Sequence, residues 1–131
     1  MELSTEKPEI EQLLGKTFTQ INGLNEGSEE IIFTTNEGEQ FSMHHDQDCC
    51  EEVLLESIDG DTNALIGHPI LVAEESKSEN ITPEGLTTER FLDSFTWTFY
   101  RLATVKGHVV LRWLGTSNGY YSEKVTIKKI S

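Results

Sequence analysis

The chain has 131 residues, 36% of them hydrophobic, a mean hydropathy of −0.39 and a formal net charge of −13. That length supports one core burying roughly two-thirds of the unfolded surface, so residues 1–131 are expected to form a single domain. No apolar run approaches the roughly 20 residues of a membrane-spanning helix, and the acidic field opposes direct contact with nucleic acid or anionic membrane.

The charge is uneven along the chain. Residues 1–93 hold 22 acids and four bases, a balance of −18, whereas residues 94–131 hold one acid, Glu123, and six bases, a balance of +5. Only the C-terminal segment is therefore expected to attract a phosphate. The first six residues lack the basic and apolar regions of a secretory signal, which sets a cytoplasmic expectation. Cys49 and Cys50 are adjacent, close no useful loop and are expected as thiols in that compartment.

In chain order, Pro8-Glu9-Ile10-Glu11-Gln12-Leu13-Leu14-Gly15 predicts a short amphipathic helix within an N-terminal helical region over 1–16. Ile10, Leu13 and Leu14 share a face, and Gly15 supplies the stop. Residues 18–24, 29–35 and 39–45 then read as strands. The last two are joined by Asn36-Glu37-Gly38, a three-residue turn with glycine in the left-handed position. That turn sets Phe33 against Phe41 and Ile31 against Met43, with all four on one face.

Residues 53–58 and 70–74 read as further strands. Between them Asp61 caps a helical turn over 62–66 that Gly67 and Pro69 end. The stretch 76–93 is polar and predicts a long surface loop. Beyond it, Phe95, Trp97, Phe99, Ala103 and Val105 alternate with polar and aliphatic residues, so Arg101 falls on an otherwise apolar face. Val109, Leu111 and Trp113 form another alternating set. Ser117-Asn118-Gly119 repeats the earlier turn pattern and predicts a hairpin setting Leu111 against Val125 and Val109 against Ile127. Its reverse face would carry His108, Arg112, Lys124 and Lys128 as a basic stripe. Eight strands with minor helix predict a mainly β fold, an antiparallel barrel or sandwich.

The densest chemistry is His44-His45-Asp46-Gln47-Asp48-Cys49-Cys50-Glu51-Glu52. Imidazole, thiolate and carboxylate suit a transition metal, and His44, His45, Asp46 and Asp48 are the candidate ligands. The spacing matches no zinc pattern, so the preferred reading packs a cysteine inward and has Asp46 and Asp48 accept turn donors. Asp59-Gly60-Asp61-Thr62-Asn63 begins like a calcium loop, but Ala64 and Ile70 stand where glycine and glutamate are needed. Trp97, Arg101, Arg112, Trp113 and Lys124 are the candidates for an anionic ligand, since an arginine on an apolar face is paired, stacked on an aromatic ring or ligand-facing. No phosphate loop, nucleophile elbow or HExxH motif is present.

Two stretches carry a family resemblance: His45-Asp46-Gln47-Asp48-Cys49-Cys50-Glu51, and Ser94-Phe95-Thr96-Trp97-Thr98-Phe99-Tyr100-Arg101-Leu102-Ala103-Thr104-Val105-Lys106-Gly107. The second continues to Arg112-Trp113 and Ser117-Asn118-Gly119-Tyr120-Tyr121-Ser122-Glu123. Over residues 18–124 the chain resembles a family of short uncharacterised bacteriophage and prophage proteins. The resemblance implies a phage setting inside a host cell and carries no assigned activity. The expectation is a non-enzymatic binding protein, without cofactor, that counteracts host defence. It would bind a host protein or sequester a nucleotide-like anion, and the basic stripe would also allow a homo-oligomer. The alternative is a metal-dependent enzyme or metal-binding protein built on the 44–52 run.

Overall fold

A computed structural model describes residues 8–79, 94–118 and 121–131. Among the described residues, eight strands run in chain order: β1 (Phe18–Asn22), β2 (Glu30–Thr35), β3 (Gln40–His44), β4 (Glu52–Gly60), β5 (Val72–Glu79), β6 (Ser94–Thr104), β7 (Gly107–Ser117) and β8 (Thr126–Lys129). They form two four-stranded antiparallel sheets, ordered β1-β2-β3-β8 and β4-β7-β6-β5. Neither closes on itself, so the fold is a sandwich and not a barrel. Phe18, Ile31, Phe33, Phe41 and Met43 of the first sheet meet Val53, Leu55, Tyr100, Leu102, Val109, Leu111 and Trp113 of the second in one buried cluster.

The β2–β3 hairpin has the register its turn dictates. Ile31 faces Met43 and Phe33 faces Phe41. Gly38 takes φ 85°, and the Thr35 hydroxyl accepts from the amides of Glu37 and Glu39, both at 3.2 Å. Asp61 likewise caps its 3-10 turn, Thr62–Leu65, through the Asn63 amide at 3.0 Å.

Three expectations need correction. The first helix, Glu9–Leu13, is a 3-10 turn. With three residues per turn, Ile10 and Leu13 stack on the core while Leu14 rotates out to 42% exposure. Residues 76–79 extend β5, because an edge strand with one face in water accepts a polar sequence. The rest of the predicted loop, 80–93, lies outside the described residues.

The third correction concerns β7 and β8, which do not form a hairpin. A strand has two hydrogen-bonding edges, and both edges of β7 are occupied, by β4 and β6. Leu111 therefore pairs with Tyr100 and Ile58, while β8 crosses to the other sheet and sets Ile127 beside Met43. The basic stripe is not assembled. The apolar stripe of β6 faces away from the core. Its register sets Tyr100 against Leu111 and Leu102 against Val109, and cross-strand partners share a face, so Tyr100 and Leu102 point inward and Phe99 and Arg101 outward.

The crossing segment between β7 and β8 is seated closely. A Cβ at Gly115 would lie 2.8 Å from the Cβ of Glu123 and 3.0 Å from its carbonyl oxygen. Glycine is needed there for approach, since its backbone is ordinary extended strand. Glu123 is itself buried, and its carboxylate accepts from Thr96 Oγ1 at 2.6 Å and Ser117 Oγ at 2.5 Å.

Candidate functional site

The loop from β3 to β4 is wound around one carboxylate. Glu51 precedes β4 and continues the inward alternation of Val53 and Leu55, so its side chain enters the interior and is fully buried. Its Oε2 accepts from the Asp48 amide at 2.7 Å and its Oε1 from the Cys49 amide at 2.8 Å. Gln47 Nε2 closes the turn by donating to the carbonyls of Glu51 at 2.6 Å and Cys49 at 3.2 Å. The turn donors are thus satisfied by Glu51, not by Asp46 and Asp48 as expected.

His45 completes the arrangement. Its Nε2 lies 2.7 Å from Glu51 Oε2 and its Nδ1 lies 2.7 Å from the carbonyl oxygen of Lys124, with only 5% of the side chain exposed. A carbonyl can only accept, and so can an ionised carboxylate, so the geometry is that of a ring with hydrogen on both nitrogens. Burial pushes the Glu51 carboxyl upward. The bond from His45 and the backbone amides of Cys49, Glu51 and Asp48 outweigh it and hold the group down at about 2. The result is an imidazolium–carboxylate pair clasping the 45–51 loop to the chain that crosses between the sheets.

His44 is engaged as well. Ser42 Oγ donates to Glu30 Oε2 at 2.6 Å, which leaves it to accept from His44 Nδ1 at 2.7 Å. The other ring nitrogen lies 3.0 Å from Asp46 Oδ1, and Lys128 Nζ holds Asp46 Oδ2 at 3.0 Å. Lys128 first, and His44 after it, lower the Asp46 carboxyl below its usual range. Asp48 is exposed and contributes its backbone amide to the loop. The four candidate metal ligands therefore do not converge. Among the described residues, no group of three or more His, Cys, Asp or Glu side chains is placed to hold a metal ion.

Both cysteines are exposed, which corrects the expectation that one packs inward. Their sulfurs are joined to each other in a vicinal disulfide, where thiols were expected. The pair lies in an acidic concavity of about 630 Å³ with Glu29, Glu30, His44, Gln47 and Glu52.

The anion-site candidates divide. Trp97, Arg101 and Arg112 share the outer face of the β4-β7-β6-β5 sheet, whereas Trp113 is fully buried on the inner face. Arg112 donates twice to Glu56 Oε1, at 2.9 and 2.6 Å, and its guanidinium lies 5.4 Å from the centre of the Trp97 ring. Arg101 donates to Glu74 Oε1 at 3.3 Å beside a shallow depression of about 520 Å³ formed with Phe99 and Val110. Lys124 lines a recess with Thr96 and Thr98 and lies 3.9 Å from Glu9 Oε2, and Lys129 reaches Glu39 at 3.4 Å. Five of the six C-terminal cations thus face a carboxylate from residues 1–93. The sequence asymmetry is folded away.

Sequence reasoning missed Glu51 and Glu123 as organising groups. The usable signal was their phase, since each extends an inward alternation, Glu51-Val53-Leu55 and Glu123-Val125-Ile127. A charged residue in phase with a core stripe is expected to be paired.

Fold and site together define an antiparallel β-sandwich whose sheets are tied by buried carboxylates around the crossing segment. The chain belongs to the DUF7448 family, a domain of unknown function whose model matches residues 11–127. No curated protein and no solved structure shows a match to it. Among the described residues, no helix is long and apolar enough to cross a membrane.

Proposed function

We propose that this chain is a non-enzymatic binding protein of phage type that counteracts host defence by occupying a host protein with a basic surface. The pairing of the C-terminal cations carries this reading. Arg101, Arg112, Lys124, Lys128 and Lys129 each face an internal carboxylate, so the folded molecule offers a partner little of its positive charge and most of its net −13. A net acidic exterior steers basic partners and repels nucleic acid. The concavity bordered by Glu29, Glu30 and Glu52 is the assigned contact surface.

Sequestration of a nucleotide-like anion is the weaker reading. Arg112 and Arg101 already hold Glu56 and Glu74, Trp113 is buried on the opposite face of the sheet, and Lys124 faces Glu9. The resemblance to phage proteins supports the setting.

The test is retention of host proteins on the immobilised chain across a salt series, beside a Glu29→Lys, Glu30→Lys, Glu52→Lys variant. The reading expects a basic protein whose capture falls steeply with salt and is lost in the variant. It also expects that expressing the chain restores phage plating on a defended strain. Capture that is flat with salt and survives the triple change overturns the acidic surface, and unchanged plating overturns the anti-defence role.

A further inference from the structure

We propose that Cys49–Cys50 is a reversible thiol–disulfide exchange site whose reaction partner is a dithiol. The inference stands apart from the host-protein reading and does not depend on it.

A disulfide stabilises a fold by closing a loop in the unfolded chain, and the gain grows with the number of residues enclosed. The bond between Cys49 and Cys50 joins immediate neighbours and encloses none. A staple is therefore not its role. The surrounding loop is held without either sulfur, through Glu51, His45 and Gln47. None of those contacts is made through sulfur, so opening the bond removes none of them directly.

Access is provided as well. Both residues are exposed. Cys50 lines the acidic concavity on one side and a second recess of about 230 Å³, with Thr116, Ser117, Asn118 and Tyr121, on the other. Thiolate attack needs an open approach to one sulfur, and the attacking and leaving groups govern its rate.

The chemistry selects a dithiol. A thiolate attacks one cysteine sulfur, the bond between the two cysteines breaks, and the other sulfur leaves as a thiolate. The resulting mixed disulfide has that thiolate on the adjacent residue, so a monothiol is expelled by the return reaction. A dithiol completes the exchange because its second thiol attacks the mixed disulfide and departs as a cyclic disulfide. The protein is then left with two thiols once its thiolates take up protons. Oxidation runs the same steps backward with a disulfide of the same class as oxidant. Glu29, Glu30 and Glu52 border the same concavity and disfavour an anionic thiol such as glutathione.

The full chain is equilibrated across ratios of reduced to oxidised dithiothreitol, quenched in acid, alkylated with iodoacetamide and weighed intact. The expected result is a switch between no label and two labels, with circular dichroism unchanged. Cys49→Ser and Cys50→Ser should each take one label under reducing conditions. Reduction by glutathione should be slower than by dithiothreitol at equal thiolate, with the gap narrowing as salt rises. Two labels at every ratio would mean the bond does not form. No label on the folded, reduced chain would mean the sulfurs are out of reach, and either result overturns the proposal. Equal rates with the two reductants at low salt would overturn the selectivity for the partner.

Discussion

His45 Nε2 stands 2.7 Å from Glu51 Oε2, and the same imidazole reaches the Lys124 carbonyl with its other nitrogen. Through this one ring, the loop leading into β4 is bonded to the segment that carries the chain from one sheet to the other. Breaking a buried pair by removing one partner costs far more than the pair contributes, because the surviving charge is left in the interior.

The first prediction follows from the sign of the Glu51 shift. Its carboxyl lies at about 2 in the folded chain against 4.5 for the ordinary group. A depressed acid contributes stability that is complete above its unfolded value and is lost as pH falls through the folded one. Resistance to urea should therefore weaken as pH falls from about 4.5 to 2. Asp46 is also lowered, so Glu51→Gln should flatten this loss without abolishing it. A Glu51→Gln profile superimposing on the parent would show that the clasp is not ionic.

The second prediction concerns Gly115. Gly115→Ala places a methyl group 2.8 Å from the Glu123 Cβ, against backbone that carries the crossing segment. Overpacking of this kind costs about 1–3 kcal/mol. The urea midpoint should fall with the denaturant slope unchanged. A midpoint equal to the parent would mean the segment sits farther away.

The third contrasts two arginines on one sheet face. Arg112→Ala removes two bonds to Glu56 and the cover of Trp97, which is 2% exposed, and should destabilise by about 1–3 kcal/mol. Arg101→Ala removes one 3.3 Å bond between groups that are both more than half exposed and should cost under about 0.5 kcal/mol. Tryptophan emission should shift to the red for the first variant alone. Arg112→Lys should not restore stability, because an ammonium cannot reproduce the planar fork.

A fourth tests the crossover. In a Cys49→Ser, Cys50→Ser background, Ser42→Cys with Lys128→Cys should oxidise to an intramolecular disulfide, since those residues are paired across β3 and β8. Arg112→Cys with Lys124→Cys should remain reduced. Cross-linking of the second pair and not the first would restore the β7–β8 hairpin.

The sequence by itself determined the features that close over a few residues. The Asn36-Glu37-Gly38 turn fixes the pairing of Phe33 with Phe41 because the chain has no other way to return with glycine in that position. The number of strands, the Asp61 cap and the shared face of Val109, Leu111 and Trp113 are local in the same sense. Alternation divides a strand such as β6 into two faces but does not say which one meets the core. Only the register with β7 turned Tyr100 and Leu102 inward and left Phe99 and Arg101 outside. Strand partnership was decided in the same way. The Ser117-Asn118-Gly119 signal is as good as its predecessor, yet β7 is a central strand whose two edges are filled by β4 and β6, leaving none for β8. The basic stripe dissolved for that reason, and its lysines met carboxylates that lie as many as 115 positions away along the chain. Hydrogen-bonding edges are a finite resource shared across the whole fold, and a local pattern carries no record of which are already taken.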